Sequence, residues 1–248
     1  MFVREGMTHA AHSLTEPTRI LIVGYGRMGA LVERLAPDCQ CEVAGILDID
    51  KNRDGEALSD GAWRDVDVAI DFTTPDAVRR NLPRYAALRM NAVVGTTGWN
   101  ADRDAMRDLA VGAGIGVVAA PNFSAGAVLF EAIAGNAARL LARHPEFGAW
   151  LHEVHHDKKL DAPSGTALGI QAAMEAAGYG RTIDVASSRA GHVPGIHTVG
   201  FDGPSETITL SHSVRDRGTF ARGALLAARW VKGRQGWFTM RDVLGLGV

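Results

Sequence analysis

A two-part α/β fold is what this sequence predicts: a larger half built on a parallel sheet, and a smaller α+β half with a mixed open sheet. Three observations carry the prediction. From Arg19 to about Ser124, short apolar runs alternate with amphipathic segments, the pattern of successive βα units. A glycine-rich turn separates the first apolar run from the first amphipathic segment. Beyond Pro121 the pattern changes to a long helix followed by segments that alternate at period two.

Ile20, Leu21, Ile22 and Val23 form an unbroken apolar strand of the kind buried on both faces of a sheet; residues 27–36 follow as a helix and 43–47 as a second strand. Residues 66–72 make a third strand. Residues 75–90 read as a helix broken or bent at Pro83, because proline withholds an N–H and crowds the preceding turn. Ala92, Val93 and Val94 give a fourth strand, 101–111 a helix and 115–119 a fifth strand. The second half opens with a helix over 125–143. In 147–156, Trp150, His152 and Val154 then alternate with Leu151, Glu153 and His155, a strand with two unlike faces. A helix begins near Ser164. Residues 197–201 and 207–213 alternate on either side of the turn Asp202-Gly203-Pro204, which predicts antiparallel pairing, and 220–231 is an apolar helix returning to the first half.

Composition excludes several classes of function. With 46% hydrophobic and 22% charged residues the chain is neither disordered nor a coiled coil. The balance of 26 basic against 28 acidic residues provides no field for nucleic acid or an anionic membrane. Glycine is enriched, 29 of 248 residues, which points to loops as carriers of function. Cys39 and Cys41, one residue apart, can assemble neither a disulfide framework nor a four-ligand zinc site and read as reduced thiols. The first eighteen residues lack an apolar signal core and no run of eighteen apolar residues follows, so a cytoplasmic protein is expected.

Gly24-Tyr25-Gly26-Arg27-Met28-Gly29 matches G-x-G-x-x-G, with a strand before it and a helix after it. The first glycine permits the tight turn, the second admits a pyrophosphate to backbone N–H groups, and the third lets helix pack on strand. The loop therefore reads as a Rossmann-type dinucleotide site. Asp48 ends the second strand nineteen positions after Gly29, where a carboxylate accepts from ribose hydroxyls, so NADH is slightly favoured; Lys51 and Arg53 nearby leave NADPH open. Two further strand ends, Gly95-Thr96-Thr97-Gly98 and Ala120-Pro121-Asn122-Phe123-Ser124, belong to the same crevice and are candidates to hold the nicotinamide end.

The densest polar chemistry lies over residues 152–166. His152-Glu153-Val154-His155-His156 satisfies H-E-x-x-H, yet that zinc motif requires a helix. In a strand rising about 3.3 Å per residue, His152 and His156 stand about 13 Å apart, so no metal is expected. His155 and His156 point to opposite faces and therefore have different tasks. Ser164-Gly165-Thr166 opens a helix whose free N–H groups can hold a carboxylate, and Lys159 adds a compact positive charge. The set suits a small anion.

These residues resemble the 4-hydroxy-tetrahydrodipicolinate reductases (dihydrodipicolinate reductases) of bacterial lysine biosynthesis. The most specific element is His155-His156-x-x-Lys159-x-Asp161-Ala162-Pro163-Ser164-Gly165-Thr166-Ala167. It is supported by Gly26-Arg27-Met28-Gly29, Asp71-Phe72-Thr73, Gly95-Thr96-Thr97, Asn122-Phe123-Ser124, Arg189-Ala190-Gly191 and His197. The resemblance implies an NAD(P)H-dependent reduction of a small dicarboxylate, the cyclic product of dihydrodipicolinate synthase, to tetrahydrodipicolinate. It implies His155 as proton donor or acceptor, Lys159 as proton donor, and His156, Ser164, Gly165 and Thr166 as carboxylate ligands. It also implies a homotetramer assembled through the second half's sheet. The phosphate loop is one residue shorter than in many members, and the stretch 168–187 is shorter than in the longer ones.

The expected division is a loose extension over 1–18, a dinucleotide-binding domain over 19–124 and 218–248, and a substrate-binding and oligomerisation domain over 125–217. A dehydrogenase of another amino or keto diacid would share the phosphate loop without needing the His-His-x-x-Lys set. A non-catalytic NAD sensor would keep the loop and Asp48 alone.

Overall fold

Among the described residues, 16–59 and 61–247 of a computed structural model, ten strands form two sheets. The first sheet contains β1 (Thr18–Val23), β2 (Cys41–Leu47), β3 (Val68–Asp71), β4 (Asn91–Val94), β5 (Gly116–Ala119) and, from the end of the chain, β10 (Gly236–Phe238). Its order is β10-β5-β4-β3-β1-β2 and every pairing is parallel. Since β1 lies between β2 and β3, the chain reverses its direction of progress across the sheet there, and the loops after β1 and β3 part to leave a crevice.

Both faces of this sheet are covered. Ile20 and Ile22 of β1 pack with Val32 of α1 (Arg27–Leu35) and with Ala224, Leu225 and Val231 of the late helix over Gly218–Val231. Leu21 and Val23 point the other way, onto Val78, Leu82 and Tyr85 of the helix over Pro75–Ala87 and Ala110 of the helix over Arg103–Gly112. A run of four fully apolar residues is the sequence mark of such two-sided burial.

In chain order the helices are α1, α2 (Ile49–Asn52), α3 (Pro75–Ala87), α4 (Arg103–Gly112), α5 (Ala125–Leu141), α6 (Gly165–Ala176), α7 (Gly218–Val231) and α8 (Met240–Val243). The second sheet holds β6 (Gly148–His155), β7 (Ile183–Arg189), β8 (Ile196–Asp202) and β9 (Thr207–Ser213) in the order β7-β6-β8-β9. It is mixed, with β6 parallel to β7 and antiparallel to β8. Phe130 and Ala134 of α5, Ile170 and Met174 of α6, and Leu151, Val199 and Phe201 of the strands form its core. Along β6 the buried face reads Ala149, Leu151, Glu153, His155: apolar at one end, ionisable at the other.

Several expectations need correction. Thr18 is not part of a loose extension but the buried first residue of β1; residues 1–15 lie outside the described residues. α3 is helical straight through Pro83 and stops at Ala87, before Arg89 turns into the left-handed region at φ 53°. Two strands went unread: β7, a polar edge strand where Ser187 and Ser188 blur the alternation, and β10, only three residues long.

Candidate active site

Three cavities line up along the carboxyl ends of the first sheet and reach into the second half. The first, about 290 Å³, lies between Gly24, Tyr25 and Gly26 on one side and Asp48, Arg53 and Arg80 on the other. The second, about 460 Å³, shares Gly26, Phe72, Thr73 and Thr74 with it and adds Arg27, Met28, Gly95, Thr96, Thr97 and Arg217. The third, about 630 Å³, takes Thr97 from the second and joins Pro121 and Asn122 to His155, Lys159, Asp161, Ser164, Gly165 and Thr166. Successive cavities share lining residues, so the Gly24 turn and the start of α6 belong to one row of neighbouring cavities.

The phosphate loop has the shape an anion requires. Gly24 sits at φ 89°, and a Cβ there would stand 2.6 Å from the Phe72 carbonyl oxygen. A Cβ on Gly29 would lie 2.3 Å from the Gly24 carbonyl oxygen, so helix and turn approach as only glycine allows. Gly26 is the N-cap of α1, offers no side-chain cap, and has open space where a Cβ would be. The first-turn N–H groups of α1 are left to an outside acceptor, which fits a pyrophosphate. Asp48 accepts the Tyr25 N–H through Oδ1 at 3.1 Å, so the same carboxylate braces the loop and lines the first cavity.

Beneath the loop after β3 lies Asp71, fully buried. It accepts from the Thr73 hydroxyl at 2.5 Å, Asn81 Nδ2 at 2.9 Å and Tyr85 Oη at 2.8 Å. Burial raises its carboxyl above the ordinary value while these donors pull it back, and the network fixes the Thr73 turn against both cofactor-side cavities.

In the second half, Ser164 caps α6 by accepting the Ala167 N–H at 3.2 Å and meets His197 Nε2 at 3.2 Å. Asn122 Nδ2 donates to Thr166 Oγ1 at 3.3 Å, tying the β5 loop to the start of α6. Lys159 Nζ donates to both oxygens of Asp161 at 2.8 Å, and that pairing holds the Asp161 carboxyl below the usual range. Glu153 is fully buried; Oε1 accepts from Arg189 Nη2 at 2.8 Å and Oε2 faces His155 Nδ1. Burial alone would raise Glu153, but hydrogen bonds from Arg189, Ser187 and His155 prevail and hold it at about 2. Burial lowers His155, partly countered by Glu153, and lowers His197 to about 4.

Most of the expected residues line these cavities; others do not. His156 is half-buried and outside the cavity linings; Ala120 and Phe123 are buried in the first core, where Phe123 packs edge-on against Phe72 at 6.1 Å. Of the two basic residues near Asp48, Arg53 reaches the first cavity and Lys51 does not. The first four residues of H-E-x-x-H lie on β6 and His156 follows its end, with His152 bonded to Ser188 Oγ at 2.9 Å. A different trio, Glu153, His155 and His197, brings one ligand atom each within 4.8 Å of one another. Both Glu153 oxygens are engaged, one by the Arg189 guanidinium and the other by His155 Nδ1.

Sequence reasoning missed Arg80 and Arg217, which look like ordinary surface arginines, and Glu131, a cavity carboxyl raised by burial and lying 3.6 Å from Arg241. It also missed the Glu153–Arg189 pair. A carboxylate on the buried face of an alternating strand demands a cation, and that demand was the available signal.

Comparison with known proteins gives a consistent picture. Two family models match, described as dihydrodipicolinate reductase, N-terminus, over residues 18–123, and dihydrodipicolinate reductase, C-terminus, over residues 126–244. A 4-hydroxy-tetrahydrodipicolinate reductase from Laribacter hongkongensis is 38% identical, with 92% of this chain and 98% of that protein covered. One from Methanoregula boonei is 37% identical over the same shares. Among solved structures, the dipicolinate-bound dihydrodipicolinate reductase from Paenisporosarcina sp. TG-14 superposes with a TM-score of 0.76 at 24% identity, covering 91% of this chain and 98% of that one.

Proposed function

The chain belongs to the dihydrodipicolinate reductase family, and from that membership we infer an NAD(P)H-dependent reduction of 4-hydroxy-tetrahydrodipicolinate to tetrahydrodipicolinate in lysine and diaminopimelate biosynthesis. The observation that carries the reading at residue level is the third cavity, where the strand ends of a nucleotide-type sheet and the His155, Lys159 and α6 set share one space.

Gly24, Tyr25, Gly26, Arg27 and Met28 would hold the pyrophosphate, Asp48 the adenosine ribose, and Thr73, Thr96, Thr97, Pro121 and Asn122 the nicotinamide half. When bound, the reduced nicotinamide supplies a hydride to a substrate carbon. The residues of this chain then do the rest. The first-turn N–H groups of α6 and the Lys159 ammonium take the carboxylates, offering charge where the substrate is doubly negative. A carboxylate arriving at Lys159 exchanges with Asp161, which occupies that ammonium beforehand. From the 4-hydroxy compound the hydroxyl leaves as water, taking a proton as the neighbouring ring carbon gives one up, and the ring then takes up one hydride and one proton. His155 and Lys159, both lining the cavity, are the groups that pass these protons.

Asp48 favours NADH. Arg53 and Arg80, which make no ion pair among the described residues, line the same cavity and offer charge to a 2′-phosphate, so NADPH is a second candidate beside NADH. A homotetramer built through the second sheet, whose outer strand β9 exposes most of its residues, and a cytoplasmic location complete the reading. Among the described residues, no helix is long and apolar enough to cross a membrane. Residues 19–124 with 218–248 serve the cofactor and 125–217 the substrate.

The test is a coupled assay with freshly generated synthase product at micromolar enzyme. Stoichiometric oxidation of NADH or NADPH is expected; no oxidation of either cofactor would end the reading.

A further inference from the structure

We propose that Glu153 is a positioning residue that fixes the tautomer of His155, and that Arg189 locks Glu153 in place while binding the same carboxylate to the segment carrying Lys159. The proposal deepens the reductase reading above and rests on it for the role of His155.

The geometry begins in the strand. Period-two alternation puts Glu153 and His155 on one face of β6, and that face is buried. A carboxylate removed from water survives as an anion only when its oxygens are paired. One oxygen takes the Arg189 guanidinium and the other faces Nδ1 of His155. An imidazole nitrogen held against a carboxylate carries its proton there, which leaves Nε2 as the nitrogen that exchanges protons.

The surroundings of the ring agree. His197 meets it edge-on with centroids 5.1 Å apart. Gly195, at φ 151°, passes so close that a Cβ there would stand 3.0 Å from Nε2. A side chain at that position would crowd the Nε2 edge of the ring, a contact that glycine at this φ avoids. Arg189 completes the unit. Its Nη1 donates to the Ser188 carbonyl at 2.7 Å, Nε to the Lys159 carbonyl at 3.2 Å, and Nη2 to the Asp161 carbonyl as well as to Glu153. A rigid five-donor fork thus spans the end of β7, the buried carboxylate and the Lys159 segment.

The charged and titratable groups facing His155 are Glu153 on β6, Arg189 on β7, His197 on β8 and Lys159 in the following loop. Lys159 and Arg189 oppose a proton on the ring, and Glu153 alone favours it. Removing the Glu153 charge must therefore weaken the hold of His155 on its proton.

Two measurements on the full chain test this. Nitrogen-15 NMR of histidine-labelled wild type should show His155 protonated at Nδ1; a dominant Nε2–H tautomer overturns the proposal. This needs neither turnover nor a variant, so it decides the point even where a substituted chain does not fold, and it stands apart from the synthase-coupled assay that tests the reductase reading. In Glu153→Gln, kcat should fall about tenfold to a hundredfold with the KM for NADH nearly unchanged. The inflection belonging to His155 in the kcat–pH profile should move to lower pH by about one unit or more. A merely structural role would lower kcat uniformly and leave the inflection in place, and that outcome, like an unchanged kcat, counts against it.

Discussion

Lys159, half-buried, and Asp48, exposed, are expected to act very differently. Lys159 lines the third cavity, whereas Asp48 lines the first. Lys159→Ala should lower kcat by about a hundredfold or more while NADH binding, measured by calorimetry, stays within about threefold; parallel loss of NADH affinity would contradict its placement. Asp48→Ala should weaken NADH far more than NADPH, whereas Arg80→Ala should weaken NADPH alone; titrating both cofactors against each variant separates the two effects. Equal losses for both cofactors would remove the assigned roles. Gly24, Asp48, Lys159 and Gly165 could be singled out as candidates from the sequence because each sits in a motif of fixed spacing. Arg80 could not, because it lines the first cavity from α3, and no spacing in the chain connects it to Asp48.

Among the elements, the turn between β1 and α1 is the least tolerant. The contact between Gly29 and the Gly24 carbonyl is backbone against Cβ, and backbone cannot swing aside. Gly29→Ala should destabilise the fold by about 1–3 kcal/mol and weaken both cofactors together, as read by thermal unfolding and by calorimetry. An unchanged melting temperature would mean that α1 can move away from β1. β6 shows why some elements read clearly and others did not. Its alternation survives because one face stays buried along all eight residues. In β7 the burial pattern is irregular, since an edge strand has one neighbour and a wet side, and local pattern then carries little information. α3 shows the opposite case: Pro83 forecast a break, but the buried side chains of Val78, Leu82 and Tyr85 keep the helix on the sheet through it.

For the whole molecule, buried and half-buried ionisable groups contribute to the response to acid, with His197 and Glu153 strongly shifted and His155 and His212 lowered in the same direction as His197. His197 is neutral in the fold, with its pKa lowered from 6.5 to about 4, so the unfolded chain binds a proton first as pH falls through 6.5 and stability drops until about pH 4. Glu153 is lowered from 4.5 to about 2, so the stability it contributes is complete above 4.5 and disappears as pH falls towards 2. Scanning calorimetry should therefore show the melting temperature falling in two stages, first below pH 6.5 and again below 4.5. His197→Phe should flatten the first stage; a slope left unchanged by that substitution would show that other groups set it.

By itself, the sequence determined the five strands β1–β5, the phosphate loop, the strand character of His152 to His155 and the grouping of His155 and Lys159 with the start of α6. All of these depend on neighbours within a few turns of chain, where period and spacing are decisive. Tertiary structure alone decided that Arg189 closes on Glu153, that Gly195 passes close to His155 Nε2, that Arg80 and Arg217 line the cavities, and that Phe123 belongs to the core. Each of those contacts joins residues dozens of positions apart on different strands or helices. Which side chains meet there is fixed by the packing of two sheets and their helices around shared cores, and no local pattern records that packing.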